Sequence, residues 1–295
     1  MILFKRKTAG EAIFDGLNGL VMLLVCFVTL YPIWYVLVHS FNNGTDAMQG
    51  GIYWWPRVPS LDNYRAVFEN TGIMKAMGIT VAKTVIGTAA HVFFTSMVAY
   101  AFSRRELVGR RAYLMLGTVT LFFSGGLIPT YLLIRDLGLL DSFWVYILPA
   151  MFNFFDLIIF LAFFREIPAG LEEAAKIDGA GDFTIFCRVV LPVSMPVVAT
   201  IALFHGVYQW NDYFTGMIYI NNSDLQPIQT FLYRVVAQSS SNQMLAAAPG
   251  GMAKNVTSQS IKLATMVVTT LPIVLAYPFL QRYFVKGFMI GSIKG

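Results

Sequence analysis

Three groups of residues carry the chemistry open to this 295-residue chain. The first is Tyr208-Gln-Trp-Asn-Asp-Tyr213, where ring faces stand beside planar amide and carboxylate groups. Sugars are held by such sets, with aromatic faces against C–H surfaces and amides or carboxylates hydrogen-bonded to hydroxyls. The same cluster also suits a membrane-interface belt with a helix cap. The second is Asp156, a carboxylate inside a long apolar run. An ionised carboxylate there is costly and faces the bundle interior, a partner or water, so Asp156 reads either as a pathway residue or as a hydrogen-bonded packing residue. The third is the polar segment Leu171-Glu-Glu-Ala-Ala-Lys-Ile-Asp-Gly-Ala-Gly-Asp-Phe-Thr-Ile-Phe-Cys-Arg-Val-Val-Leu-Pro192, whose chemistry is recognition.

Reaction chemistry is not suggested. No G-x-x-x-x-G-K-[ST] run exists to cradle ATP phosphates, so energy is expected from another polypeptide or from a gradient. Ser/His/Asp and Cys/His sets are not indicated by position, and His39, His91 and His205 are scattered along the chain and read as structural. The expectation is a non-catalytic chain with no metal and no cofactor of its own.

The elements that position these groups follow from composition. With 57% hydrophobic and 13% charged residues and a mean hydropathy of +0.63, the chain lies outside the soluble globular range and reads as an all-α integral membrane protein. Its net charge of +5 is spread between apolar spans, which favours topology over nucleic-acid binding. Cys26 and Cys187 give no disulfide framework. The run Leu17 to Val38 follows Lys5-Arg-Lys7, is too long for a signal-peptide core and lacks a cleavage site, so it reads as an anchor.

Six stretches approach the roughly 20 apolar residues needed to cross a bilayer. They are Leu17 to Ser40, Ile79 to Phe102, Tyr113 to Ile134, Trp144 to Phe164, Val193 to Tyr213 and Ile261 to Leu280. Cations concentrate in the loops on the side of both termini, with Lys83 counted among those on the other side, so both termini and the central loop are expected in the cytoplasm. This divides the chain into a cytoplasmic segment 1–16, a transmembrane part 17–280 and a cytoplasmic tail 281–295. The central loop covers about 165–192 and a long outer loop about 214–260. Gly125-Gly126, Pro129 and Pro149 interrupt spans and free backbone groups at depth, a feature of pathway walls.

In the central loop, Pro168 can open a helix with Leu171, Ala174, Ala175 and Asp178 at helical spacing. Gly179-Ala-Gly181 breaks it, Asp182 can cap a second helix with Phe183, Phe186 and Val190 on its apolar face, and Pro192 ends the pair. The product is a knob suited to a partner's groove, or an interfacial connector.

This segment resembles the EAA loop of permease subunits of type I ABC importers, through Glu173-Ala-Ala175, Gly179 and Val189-x-Leu191-Pro192; Val189 stands where the pattern usually has Ile. The resemblance implies a MetI-like fold and a coupling helix in a cleft of a separate ATPase, which holds ATP and Mg. The ATPase-coupling residues would be Glu173, Ala174, Ala175, Asp178, Gly179, Leu191 and Pro192.

Pro56 with Leu61-x-Asn63-Tyr64, the turn after Ala99-Tyr100, and Trp210-Asn211-Asp212 are similar to carbohydrate-uptake permeases, and the ending Tyr277 to Gly295 to the complex-carbohydrate subgroup. By that resemblance the cargo is an oligosaccharide. The partners would be a second, distinct permease, two ATPase subunits and an extracytoplasmic solute-binding protein, in a bacterial cytoplasmic membrane and without nucleic acid. Asp156, Tyr208, Trp210, Asn211 and Asp212 become pathway candidates, and Gly291 and Lys294 contacts of the tail with the ATPases. Two rivals stand beside it. One is a proton-coupled secondary transporter using Asp156, although no inverted repeat is evident; the other is a membrane scaffold that moves no solute.

Overall fold

The computed structural model describes residues 8–104, 106–237, 256–257 and 259–275. Every regular element among them is helical. The α-helices are α1 (Ala9–Ser40), α2 (Gly44–Ala47), α3 (Asp62–Glu69), α4 (Thr71–Ser103), α5 (Arg110–Phe122), α6 (Leu127–Asp136), α7 (Phe154–Phe164), α8 (Ala169–Ile177), α9 (Asp182–Ile185), α10 (Leu191–Val193), α11 (Met195–Asn211), α12 (Phe214–Tyr219) and α13 (Ile228–Ala237). A last helix, α14, covers Gln259–Leu275. Helices α1 and α4 are each long and apolar enough to cross a membrane; α5 with α6, bent by 118°, and α9–α10 with α11, bent by 84°, would each make one more if counted as a broken span. The described residues form two compact units, one of 8–70 with 256–257 and 259–268, the other of 71–104, 106–237 and 269–275.

In the first unit, α1 starts at a capping box: Thr8 Oγ1 accepts the Glu11 N–H, and the Glu11 carboxylate accepts the Thr8 N–H at 2.7 Å. Its far end is tied by buried Asn63, whose amide donates to the carbonyls of Ser40 and Asn42, while Tyr64 shares a hydrogen bond with Ser40. Asn63 and Tyr64 therefore serve the end of the first helix. Trp34 donates to the Trp54 carbonyl and meets the Trp55 ring edge-on.

The second unit is built on α4. Thr80, Lys83, Gly87, His91, Thr95 and Ala99 recur every three or four residues and are all buried, so a membrane-length helix carries a polar stripe facing inward. Helices α7 and α11 pack on that stripe. Asn153 caps α7, accepting the N–H groups of Phe155 and Asp156. An apolar cluster below it joins Ala99 and Tyr100 of α4, Leu157 to Phe164 of α7, Ile185 to Val190, and Val197 and Ile201 of α11.

Three expectations need correction. Lys83 is a buried member of α4 and not a loop cation. Asp182 is the first residue of α9 and makes no cap; Gly181 precedes it in extended conformation. Pro192 does not end the second knob helix: Phe186–Val190 widen into a π-helix, and the helix continues through Leu191–Val193. A wider turn just before a proline relieves its clash with the preceding turn and its missing N–H. The early part of the expected outer loop holds α12 and α13, with Gly216, Tyr219, Ile228 and Thr230 buried. The tail with Gly291 and Lys294 lies outside the described residues.

One turn outside the apolar stretches is held by charge. Asp141, at φ 54°, accepts the N–H groups of Asn221 at 2.5 Å and Asn222 at 2.9 Å. The backbone N–H of Asn222, and then that of Asn221, hold its carboxyl below the usual carboxylate range. A depressed native value means that the tie is complete above the ordinary carboxylate value of about 4 and is lost only as pH falls through the lower native one. Amide exchange of Asn221 and Asn222 is expected to stay protected at pH 5, and Asp141→Ala to abolish that protection at every pH.

Candidate functional site

The polar central segment folds as a knob with two different sides. Helix α8 starts after Pro168, which stands at its N-cap, and ends in a Schellman arrangement. Gly179 N–H donates to the Lys176 carbonyl and Ala180 N–H to the Ala175 carbonyl, with Gly179 at φ +81°. A residue with a β-carbon is strained there although nothing lies within 4 Å. Ala175, Ala180 and Leu191 turn inward against the apolar cluster, where Ile185, Phe186 and Val190 are fully buried. Glu172 on α8 pairs with Arg104 at the end of α4, and the Arg104 guanidinium lies 4.3 Å from the Tyr100 ring.

The other side is left open. Glu173, Ala174, Asp178, Gly179 and Pro192 are exposed. Two large apolar residues stand with them, Ile177 at 86% exposure and Phe183 at 63%. An apolar pair on an otherwise polar projection, backed by a buried face, is what a docking knob presents.

At the opposite end of α11, Tyr208 and Asp212 line a cavity of about 180 Å³ together with Tyr146, Gln209, Thr215 and Tyr219. Lys83 lies behind it. Its ammonium donates to the Asp212 carbonyl at 2.8 Å and to the Asp212 carboxylate at 3.2 Å, and sits 4.9 Å from the Tyr146 ring. Asp212 also caps α12, accepting the Thr215 N–H. Asn211 is exposed and lines a neighbouring pocket with Tyr208 and Asp212, its amide donating to the Val207 carbonyl. Trp210 points away: it is buried, and its indole N–H donates to the Thr269 carbonyl at 3.0 Å. Of the expected aromatic and polar set, Tyr208 and Asp212 meet in one cavity and Trp210 serves packing.

Asp156 lies in the first turn of α7 and is paired, 2.9 Å from His91 Nε2. The His91 ring stacks on that of His205 at 3.8 Å and 6°. The histidines that looked scattered are thus brought together from α4 and α11, while His39 stands elsewhere, 3.1 Å from the Ile52 carbonyl. Lys83, His91, Tyr146, His205 and Gln209 were all missed as one group. The available signal was the spacing of Thr80, Lys83, Gly87, His91 and Thr95, a helical face of polar and small residues within an apolar run.

A family described as "Binding-protein-dependent transport system inner membrane component" matches residues 4–290. Protein LplC of Bacillus subtilis (strain 168) is 42% identical over 292 residues, covering 98% of each chain. The polygalacturonan/rhamnogalacturonan transport system permease protein YtcP of the same organism is 43% identical over 283 residues, covering 96% of this chain and 99% of its own. A crystal structure of a bacterial ABC transporter involved in the import of the acidic polysaccharide alginate includes a chain 30% identical, with a TM-score of 0.88 and coverage of 95% and 99%.

The Lys83–Asp212 pair is buried on both sides. Removing one partner of such a pair costs about 3–5 kcal/mol because the other charge is stranded, whereas replacing both is often nearly neutral. Thermal unfolding in detergent is expected to rank Lys83→Met as the least stable variant, with the double variant K83M/D212N recovering the part due to the stranded carboxylate and not the part due to the unmet Asp212 carbonyl.

Proposed function

The chain belongs to the family of binding-protein-dependent transport system inner membrane components, and from that premise we propose that it imports oligosaccharides as one of two unlike permeases. It is a permease subunit of an ABC importer and not an enzyme. The observation that carries the coupling role is the two-sided knob, with Ile185, Phe186 and Val190 buried in the core and Glu173, Gly179, Ile177 and Phe183 facing outward.

In this reading two ATPase subunits, which hold ATP and Mg, receive the knob in a cleft. Glu173 makes a polar contact, Ala174 allows close approach, and the Gly179 elbow sets the angle between the knob's helices. Asp178 and Pro192 border the same surface, while Ala175 and Leu191 bind the knob to the core. Closure of the ATPases shifts the permease equilibrium because the closed pair contacts one state better than the other. Six spans would put both termini and the knob at the cytoplasmic face of a bacterial membrane, with segments 1–16 and 281–295 inside. Gly291 and Lys294 would reach the ATPase pair, and the stretch about 214–260 would meet an extracytoplasmic binding protein loaded with sugar.

The carbohydrate assignment is supported by the names of the relatives and by the cavity at Tyr208 and Asp212, where phenol faces and a carboxylate suit hydroxylated rings. Asn211 adds an amide from the neighbouring pocket. Asp156 is in contact with His91, which weakens its claim to be a free coupling carboxylate in a gradient-driven transporter.

Purification of the tagged protein in mild detergent, with mass identification of what stays bound, is expected to recover a second permease and an ATPase. Gly179→Asp places a carboxylate on the docking face at a strained position. It is expected to leave membrane insertion intact and to abolish ATP-dependent sugar uptake; normal uptake by this variant would remove the elbow from the coupling path.

A further inference from the structure

The contact between His91, Asp156, His205 and Gln209 has a hydrogen-bond inventory that fixes where protons sit. His91 Nδ1 lies 2.9 Å from the Ala150 carbonyl, which only accepts, so Nδ1 carries a proton. His91 Nε2 lies 2.9 Å from Asp156 Oδ2. A bare imidazole nitrogen facing a bare carboxylate oxygen would set two lone pairs against each other, so this contact holds one further proton. That proton is shared by His91 Nε2 and Asp156 Oδ2.

His205 is fixed by a different neighbour. The Gln209 amide nitrogen donates to the Tyr146 carbonyl at 2.9 Å and lies 3.3 Å from His205 Nε2. The carbonyl contact orients the amide, so its second N–H meets His205 Nε2 as an acceptor and leaves His205 neutral with its proton on Nδ1. The titratable groups facing His205 are His91 from α4, Tyr208 on α11 itself and, beyond His91, Asp156 from α7.

Two histidines and a carboxylate within 4.8 Å of one another also invite a metal ion. The ring stack speaks against it. Ring-plane lone pairs of two parallel imidazoles run side by side and do not converge on one ion at the roughly 2.0–2.1 Å such bonds need.

We propose that His91, Asp156, His205 and Gln209 form a buried proton-binding site, which holds one proton between His91 and Asp156 and locks α11 onto α4 while His205 stays neutral. A second proton would go to His205 Nε2. There it meets the Gln209 N–H head-on, beside the stacked His91 ring 3.8 Å away. Gln209 must then leave the Tyr146 carbonyl, and the seam between α4 and α11 opens. Gln209 and Tyr146 also line the cavity at Tyr208 and Asp212, so the site borders that cavity, while the knob lies elsewhere.

The test uses the full chain in lipid nanodiscs, labelled with ¹⁵N-histidine and ¹⁵N-glutamine side chains; only three histidines are present, so His39 is assigned by substitution. The spectrum is expected to show a proton on His91 Nδ1, a proton shared between His91 Nε2 and Asp156, and His205 protonated at Nδ1 alone. Asp156→Asn should remove the shared proton and shift the His91 Nε2 signal. Stepwise acidification should protonate His205 together with a shift of the Gln209 amide, and His205→Gln, which keeps an acceptor but cannot take the proton, should abolish that shift. A His91 Nε2 signal unchanged by Asp156→Asn, protonation of His205 with the Gln209 amide unmoved, or stoichiometric perturbation of both rings by added zinc would each overturn the proposal. Because no readout is transport, its failure leaves the importer reading untouched, and the reverse holds.

Discussion

The structure depends on one constraint: a carbonyl released where a helix breaks inside an apolar environment must find a donor. Four such carbonyls are served from two helices. His91 and Thr95 of α4 reach the Ala150 and Met151 carbonyls, at 2.9 and 3.3 Å; Lys83 of α4 reaches that of Asp212 at 2.8 Å; Gln209 of α11 reaches that of Tyr146 at 2.9 Å. An unmet group in hydrocarbon costs several kcal/mol, more than any single apolar contact nearby returns. The register of α4 against α7 and α11 is therefore set by polar matching, and the apolar residues fill around it. Gly87 shows how close this fit is, since a β-carbon there would lie 2.8 Å from the Gln209 amide nitrogen.

That register extends to the knob. Below the polar stripe, Tyr100 of α4 and Phe164 of α7 pack with Phe186, and Val190 lies in the same cluster as Val197 and Ile201 of α11. The 84° bend between α10 and α11 is thus enclosed by packing on both arms. With Glu172 anchored by Arg104, a push on the exposed side of the knob acts on α4, α7 and α11 together. The cavity at Tyr208 and Asp212 sits at the other end of α11 and would be carried by the same movement.

How much of this was legible follows from the range of each interaction. The knob could be read because its signals are local: Gly179 must take a positive φ, and the alanines and glycines have fixed spacing. The apolar stretches could be read for the same reason. Lys83 was misplaced because a charge near the end of an apolar run looks like a loop residue, and its partner Asp212 is 129 positions away. His91 and His205 looked unrelated until helix packing stacked them. Trp210 looked like a sugar platform, but its indole N–H is satisfied by Thr269, which no local pattern reveals. The π-helix before Pro192 was missed because a proline was read as a stop, whereas one wider turn lets the helix run on.

The central claim is that the knob and α11 move as one body. It is tested most directly by pulsed electron-spin distance measurement in the assembled importer, with labels at Ile177 and Val207 after replacement of Cys26 and Cys187. A rigid connection predicts one narrow distance distribution whose centre stays within about 2 Å, the scale of an ordinary helix shift, between the nucleotide-free and ATP-trapped states. A clear shift or a second population on trapping ATP would show that the bend at Ser194 flexes, and would contradict it.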